Sequence, residues 1–167
     1  STNNGTNWTA VNNDLTSLYI NSLAISDNNI FAGTERGGIF LSTDNGSSWA
    51  AVNNGLTSIY VLSLAVSGTN IFAGTYRDGV FLSTNNGTNW TAVNNGLMGT
   101  LIWSLSVSDT NLFAGTDNGG VFLSTNNGTS WSAVNNGLTT FDVRALAVSN
   151  TNLFAGTTSG GVFLSTN

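Results

Sequence analysis

A chain of 167 residues is long enough for one domain with its own core, and three cations against eight carboxylates give a net charge of −5. No basic stripe exists to neutralise phosphates, so nucleic acid and anionic membranes are poor partners. Without cysteine or histidine the chain lacks the usual zinc, iron–sulfur, thiol and imidazole chemistries, and no cofactor or metal is expected. No apolar run approaches the roughly 18 residues of a membrane span, so membrane insertion is not expected.

Along the chain, Trp8, Trp49, Trp90 and Trp131 fall 41 residues apart, each closing the same phrase: Ser1 to Trp8 reads STNNGTNW and Ser42 to Trp49 reads STDNGSSW. The chain is therefore one unit written four times (1–41, 42–82, 83–123 and 124–164, with 165–167 beginning a fifth) and forms a single domain of 1–167. In the second unit, Ser58 to Ser67 reads as a strand. The turn Gly68-Thr69-Asn70 leads to a second strand, Ile71 to Thr75. Tyr76-Arg77-Asp78-Gly79 turns into a third, Val80 to Ser83, and Asn85-Asn86-Gly87 into a fourth, Trp90 to Val93. No 3.6-residue periodicity appears anywhere, so the fold class is all-β. Four-stranded units of about 40 residues are blades of a β-propeller; a β-solenoid has shorter coils.

The phrase Ser-x-Asp-x-Gly-x-x-Trp stands complete at Ser42, Asp44, Gly46 and Trp49, and with Asn in place of Asp at Asn3, Asn85 and Asn126. It resembles the Asp-box, or BNR repeat, of sialidases, sortilin-like receptors and bacterial secreted propellers, and the resemblance covers all four units. It implies a hairpin between the third and fourth strands of each blade, at the periphery and away from any catalytic centre. Asp or Asn accepts turn hydrogen bonds, Gly takes positive φ, and Trp8, Trp49, Trp90 and Trp131 pack between blades. A calcium ligand at Asp44 lacks the further carboxylates such a site needs.

Comparing units separates what every blade requires from what each is free to change. Phe31-Ala32-Gly33-Thr34 recurs as Phe72 to Thr75, Phe113 to Thr116 and Phe154 to Thr157, which marks packing. Two windows differ. Entering the first strand, Tyr19 and Asn21 become Tyr60 and Leu62, Leu101 and Trp103, then Phe141, Asp142 and Arg144. Between the second and third strands, Glu35-Arg36 becomes Tyr76-Arg77-Asp78, Asp117-Asn118 and Thr158-Ser159. In a propeller both connections emerge on one face, around the mouth of the channel. Exposed aromatics with charges of both signs compose a binding surface, where drift would collect Ser, Asn and Gly.

Three classes of function follow. The expectation is a non-catalytic secreted or cell-surface binding module, bacterial in character, for a glycan or a protein segment. A structural building block of an extracellular array or fibre is the alternative. Kinship with sialidases implies three arginines, a Tyr–Glu pair and an acidic residue, which Arg36, Arg77, Arg144, Glu35 and the tyrosines match only in number, so catalysis is not expected. The repeat is cut inside its hairpin. The stretch Gly161 to Asn167 is a third strand and the start of a turn, and Ser1 to Val11 supplies the rest and a fourth strand. The N-terminal strand is therefore expected to complete the last blade, as a four-bladed ring within one chain or as half of an eight-bladed dimer, with homo-oligomer or fibre formation through the same strand complementation.

Overall fold

The protein is described by a computed structural model covering Ser1 and residues 3–166; Thr2 and Asn167, the latter in the expected turn after the last strand, lie outside the described residues. Among the described residues fifteen strands form antiparallel sheets, and there is no helix, so none long and apolar enough to cross a membrane. The first blade is β1 (Ile20–Ser26), β2 (Asn29–Thr34), β3 (Ile39–Ser42) and β4 (Ala50–Ala51). The second is β5 (Val61–Ser67), β6 (Asn70–Thr75), β7 (Val80–Ser83) and β8 (Thr91–Ala92). The third is β9 (Ile102–Ser108), β10 (Asn111–Thr116), β11 (Gly120–Ser124) and β12 (Ser132–Ala133). The fourth has three strands, β13 (Val143–Ser149), β14 (Asn152–Thr157) and β15 (Gly161–Ser165). Strands are paired in chain order in every sheet, the meander of a propeller blade.

The strands are shorter than the sequence suggests, because backbone groups at their ends bond elsewhere. Residues 58–60 precede β5 rather than belong to it: the carbonyls of Ile59 and Tyr60 accept from Gly38 and Tyr76 at 2.9 and 3.0 Å. Likewise Trp90 N–H leaves its own sheet for the carbonyl of Asn54 at 2.9 Å, which limits β8 to two residues.

Blades pack through the recurring motifs. Glycine of Phe-Ala-Gly-Thr lets the next blade approach: a Cβ on Gly33 would lie 2.7 Å from Val61, and one on Gly74 2.7 Å from Ile102. Val61, Ile102 and Val143, the apolar residue that stays constant inside the first variable window, are fully buried by this contact. Phe31, Phe72, Phe81 and Phe122 fill the space between sheets. At the rim each hairpin turns through Asn and Gly in the left-handed region, as at Asn45 (φ 57°) and Gly46 (φ 84°). Ser42 Oγ accepts from Gly46 N–H at 2.8 Å, Asp44 Oδ1 accepts from Ser48 N–H at 2.9 Å, and Trp49 is delivered to the seam with the preceding unit.

One expectation is not met within the chain. Among the described residues, 8–11 form no strand and none pairs with β15 as a fourth strand, and Trp8 stands exposed. The N-terminal segment is instead tied to the first blade: Trp49 N–H donates to the carbonyl of Asn13 at 3.1 Å, and Asn13 Nδ2 to that of Ser47 at 2.9 Å. Leu15 packs against Phe40 and Trp49.

Candidate functional site

The two variable windows are joined in every blade by the same backbone bond. Glu35 N–H donates to the Tyr19 carbonyl, Tyr76 to Tyr60, Asp117 to Leu101 and Thr158 to Asp142, at 2.9–3.1 Å. A second set crosses between blades: Gly38 donates to Ile59, Gly79 to Thr100 and Gly120 to Phe141, at 2.8–2.9 Å. Buried Thr34, Thr75 and Thr116 pin the turns by donating from Oγ1 to the carbonyls of Gly38, Gly79 and Gly120. Backbone groups and invariant threonines thus hold this face. Its side chains vary without loosening it.

The first strand of each blade changes register within this face. Ile20 pairs with Thr34 but Ser22 with Gly33, which leaves Asn21 as the extra residue of a β-bulge; Leu62, Trp103 and Arg144 occupy the same place in the other blades. A bulge re-aims the side chain it carries. The four positions that change class most sharply from unit to unit are these.

Residues of three blades enclose a groove of about 850 Å³: Asn21 and Glu35 from the first, Tyr60, Leu62, Tyr76, Arg77 and Asp78 from the second, and Trp103 from the third. Tyr60 and Tyr76 set their rings 6.0 Å apart at 42°, and Arg77 lies 5.1 Å from the Tyr76 centroid. Asn21 Nδ2 donates to the Val61 carbonyl at 2.9 Å, tying the groove's edge across the seam. Thr57, Ser58 and Ile59 also line it, with Thr57 Oγ1 donating to Asp78. These three were missed in the sequence, where only their place in the segment leading into the variable window marks them.

A second cluster adjoins the groove at Trp103. Arg144 places its guanidinium 3.8 Å from the Trp103 ring centroid, bonds Asp142 at 2.8 Å and approaches Asp117 at 3.9 Å. Burial works to raise the Asp142 carboxyl, but hydrogen bonds from Arg144 and Thr158 and the charge of Arg144 hold it below the ordinary carboxylate value. Buried Trp103 Nε1 and Asp142 Oδ1 make no hydrogen bond among the described residues.

The remaining expected residues lie outside both clusters. Tyr19 projects into solvent, Arg36 forms an exposed pair with Glu35 at 3.5 Å, and Asn118 donates to Asp117. Leu101 and Phe141 contribute backbone carbonyls. Two corrections concern aromatics read as exposed: Tyr60 and Trp103 are half-buried, because their neighbours Tyr76 and Arg144 cover them. The three arginines engage different partners, Glu35, Tyr76 and the Trp103 cluster, and do not converge.

No family model and no curated protein matches the chain. Solved β-propellers superpose on it. The computationally designed Ika4 protein matches with a TM-score of 0.74 at 15% identity, over 96% of this chain and 99% of that one. An ancestral GH74 enzyme matches with 0.72 at 26% identity, over 93% and 24% of the two chains. The extracellular domain of a B. thetaiotaomicron protein described as a one component system matches with 0.74 at 21%, over 95% and 23%. The chain spans about a quarter of the length of the last two. The likeness shows the propeller fold.

Proposed function

We propose that this chain is a non-catalytic, extracellular or cell-surface propeller of the Asp-box kind, bacterial in origin, whose groove binds carbohydrate. The observation that carries this reading is the convergence of Tyr60, Tyr76 and Trp103 with Asn21, Glu35, Arg77 and Asp78 around one open cleft. Aromatic rings offer flat apolar faces to the C–H side of a sugar, while carboxylates, an amide and a guanidinium meet its hydroxyls. In the hairpins Asp44, Asn85 and Asn126 each accept from the backbone N–H four residues on, which supports the Asp-box assignment. Likeness to the extracellular domain of a protein described as a one component system supports the location. The dispersal of the three arginines favours binding over sialidase-like turnover.

A glycan array probed with the native chain and with Tyr76→Ala tests the reading. Specific sugars retained by the native chain, lost at least tenfold in the variant and not hydrolysed on standing, are the expected result. Capture of no sugar, or capture indifferent to Tyr76→Ala and Asp78→Asn, overturns it; a protein segment binding through the same residues would then be the second reading.

A further inference from the structure

Six of the chain's eight Asn-Gly pairs fall into two sets that recur blade by blade. One set stands at the tips of the hairpins: Asn45-Gly46, Asn86-Gly87 and Asn127-Gly128. The other, Asn54-Gly55, Asn95-Gly96 and Asn136-Gly137, lies in the segment that runs from the fourth strand toward the variable window. Asn before Gly is the pairing in which the main chain most readily attacks a side chain, because a glycine nitrogen has no Cβ beside it to shield it. The dipeptide is the same in both sets, and its surroundings differ.

At the hairpin tips the attacking nitrogen is held. Gly46, Gly87 and Gly128 are buried, and each donates its N–H to a serine hydroxyl, Ser42, Ser83 or Ser124 Oγ, at 2.8–2.9 Å. In the second set both residues of each pair are exposed, and the N–H groups of Gly55, Gly96 and Gly137 donate to nothing among the described residues. The turn closes one residue later, where Leu56, Leu97 and Leu138 donate to the carbonyls of Asn53, Asn94 and Asn135 at 3.0 Å. Two of these open peptides are bonded at the oxygen instead: the carbonyls of Asn54 and Asn95 accept from Trp90 and Trp131 N–H at 2.9 Å. A bond to that oxygen stabilises the charge it gains when the nitrogen loses its proton, whereas a bond from the N–H opposes the loss.

We propose that Asn54, Asn95 and Asn136 are sites of self-modification. The glycine nitrogen, its proton lost to solvent base, bonds to the Asn Cγ. The Cγ–Nδ2 bond breaks, the amide nitrogen leaves as ammonia with a proton taken from water, and a cyclic succinimide remains. Water then adds to one of the two ring carbonyls. Opening between Cγ and the nitrogen leaves aspartate; opening between the main-chain carbonyl carbon and the nitrogen leaves isoaspartate. Nothing is oxidised or reduced, and the reaction needs no ligand in the groove. Either product sets a new carboxylate, and isoaspartate an extra backbone atom, beside an anchor of the variable face. Asn53 Oδ1 accepts from Ile39 N–H at 2.7 Å and its Nδ2 donates to the Gly37 carbonyl at 2.9 Å, and Asn94 and Asn135 repeat both bonds in their own blades.

Peptide mapping by mass spectrometry of the native chain, aged at mildly alkaline pH, tests the proposal. Conversion at Asn54, Asn95 and Asn136 is expected to run about tenfold faster than at Asn45, Asn86 and Asn127, the rate equivalent of one ordinary hydrogen bond. Isoaspartate is expected to exceed aspartate, as opening of a succinimide requires. In urea all six are expected to convert at similar rates, since the protection belongs to the fold. Ser83→Ala, in a chain that keeps its strand spectrum, frees Gly87 N–H and is expected to bring Asn86 close to the rate of Asn95 while Asn127 stays slow. Equal rates for the two sets in the folded chain, faster conversion at the hairpin tips, aspartate as the sole product, a difference that persists in urea, or an Asn86 unaffected by Ser83→Ala overturns it.

Discussion

Trp90 and Val52 meet across the seam of the first and second blades, the indole N–H donating to the valine carbonyl at 2.8 Å while the ring lies in one core cluster with Phe31 and Phe81. One side chain thus closes a hydrogen bond and fills the space between two sheets. Trp90→Ala is expected to cost about 3–5 kcal/mol, a fall in melting midpoint on the order of 10 °C. Trp103→Ala removes a half-buried ring covered by an arginine and should cost clearly less. Thermal denaturation of the two variants checks this; equal losses would place Trp103 in the core.

Glycines of one motif should respond differently to the same change. A Cβ on Gly74 meets Ile102 at 2.7 Å and Ser63 Oγ at 2.5 Å, whereas one on Gly156 meets nothing nearer than 3.5 Å. Gly74→Ala is expected to destabilise by about 1–3 kcal/mol through overpacking. Gly156→Ala should be near neutral. Urea unfolding of each distinguishes the two.

Much of this architecture was legible in the sequence because each blade repeats the groups that pack it: the tryptophans, Phe-Ala-Gly-Thr and the hairpin phrase all recur where the seams are. The face was legible for the opposite reason, since backbone bonds fix its turns and leave the side chains free. What was not legible depends on pairing. The bulge at Asn21, Leu62, Trp103 and Arg144 is a matter of register, which no residue there announces. The half-burial of Tyr60 and Trp103 depends on neighbours from elsewhere in the fold, Tyr76 in the adjoining turn and Arg144 in the next blade. Closure by the N-terminal strand was expected either within one chain or between two, because the repeat phase says only which residues are equivalent and not which copy supplies them.

Arg144 links the third and fourth blades through the Trp103 ring and Asp117, and its side chain remains partly exposed. Arg144→Ala should therefore cost no more than about 1 kcal/mol. It should also shift the emission of Trp103 by admitting water to the ring. Comparing native and Arg144→Ala fluorescence, each with and without Trp103→Phe, isolates that signal from the four other tryptophans; no difference between the pairs would show that the guanidinium does not cover Trp103 in solution.

Acid should act on the hairpin at Asp44 before it acts on its three counterparts, which carry Asn and do not titrate. Hydrogen bonds from the Ser48 hydroxyl, the Ser48 N–H and the Ser42 hydroxyl, in that order of weight, hold the Asp44 carboxyl below its ordinary value of 3.8. A carboxylate with a lowered folded value contributes stability that is present above the ordinary value and lost as pH falls through the lowered one, because the unfolded chain takes up the proton first. The contribution is small, since the group is exposed. The melting midpoint of the native chain is expected to fall faster below about pH 4 than that of Asp44→Asn, whose amide oxygen keeps the bond to Ser48 N–H as Asn85 does to Asn89 at 2.9 Å. Midpoints measured from pH 7 to pH 2 at constant ionic strength check this; parallel curves would mean that the Ser48 bonds seen at Asp44 favour its charged form no more than water does.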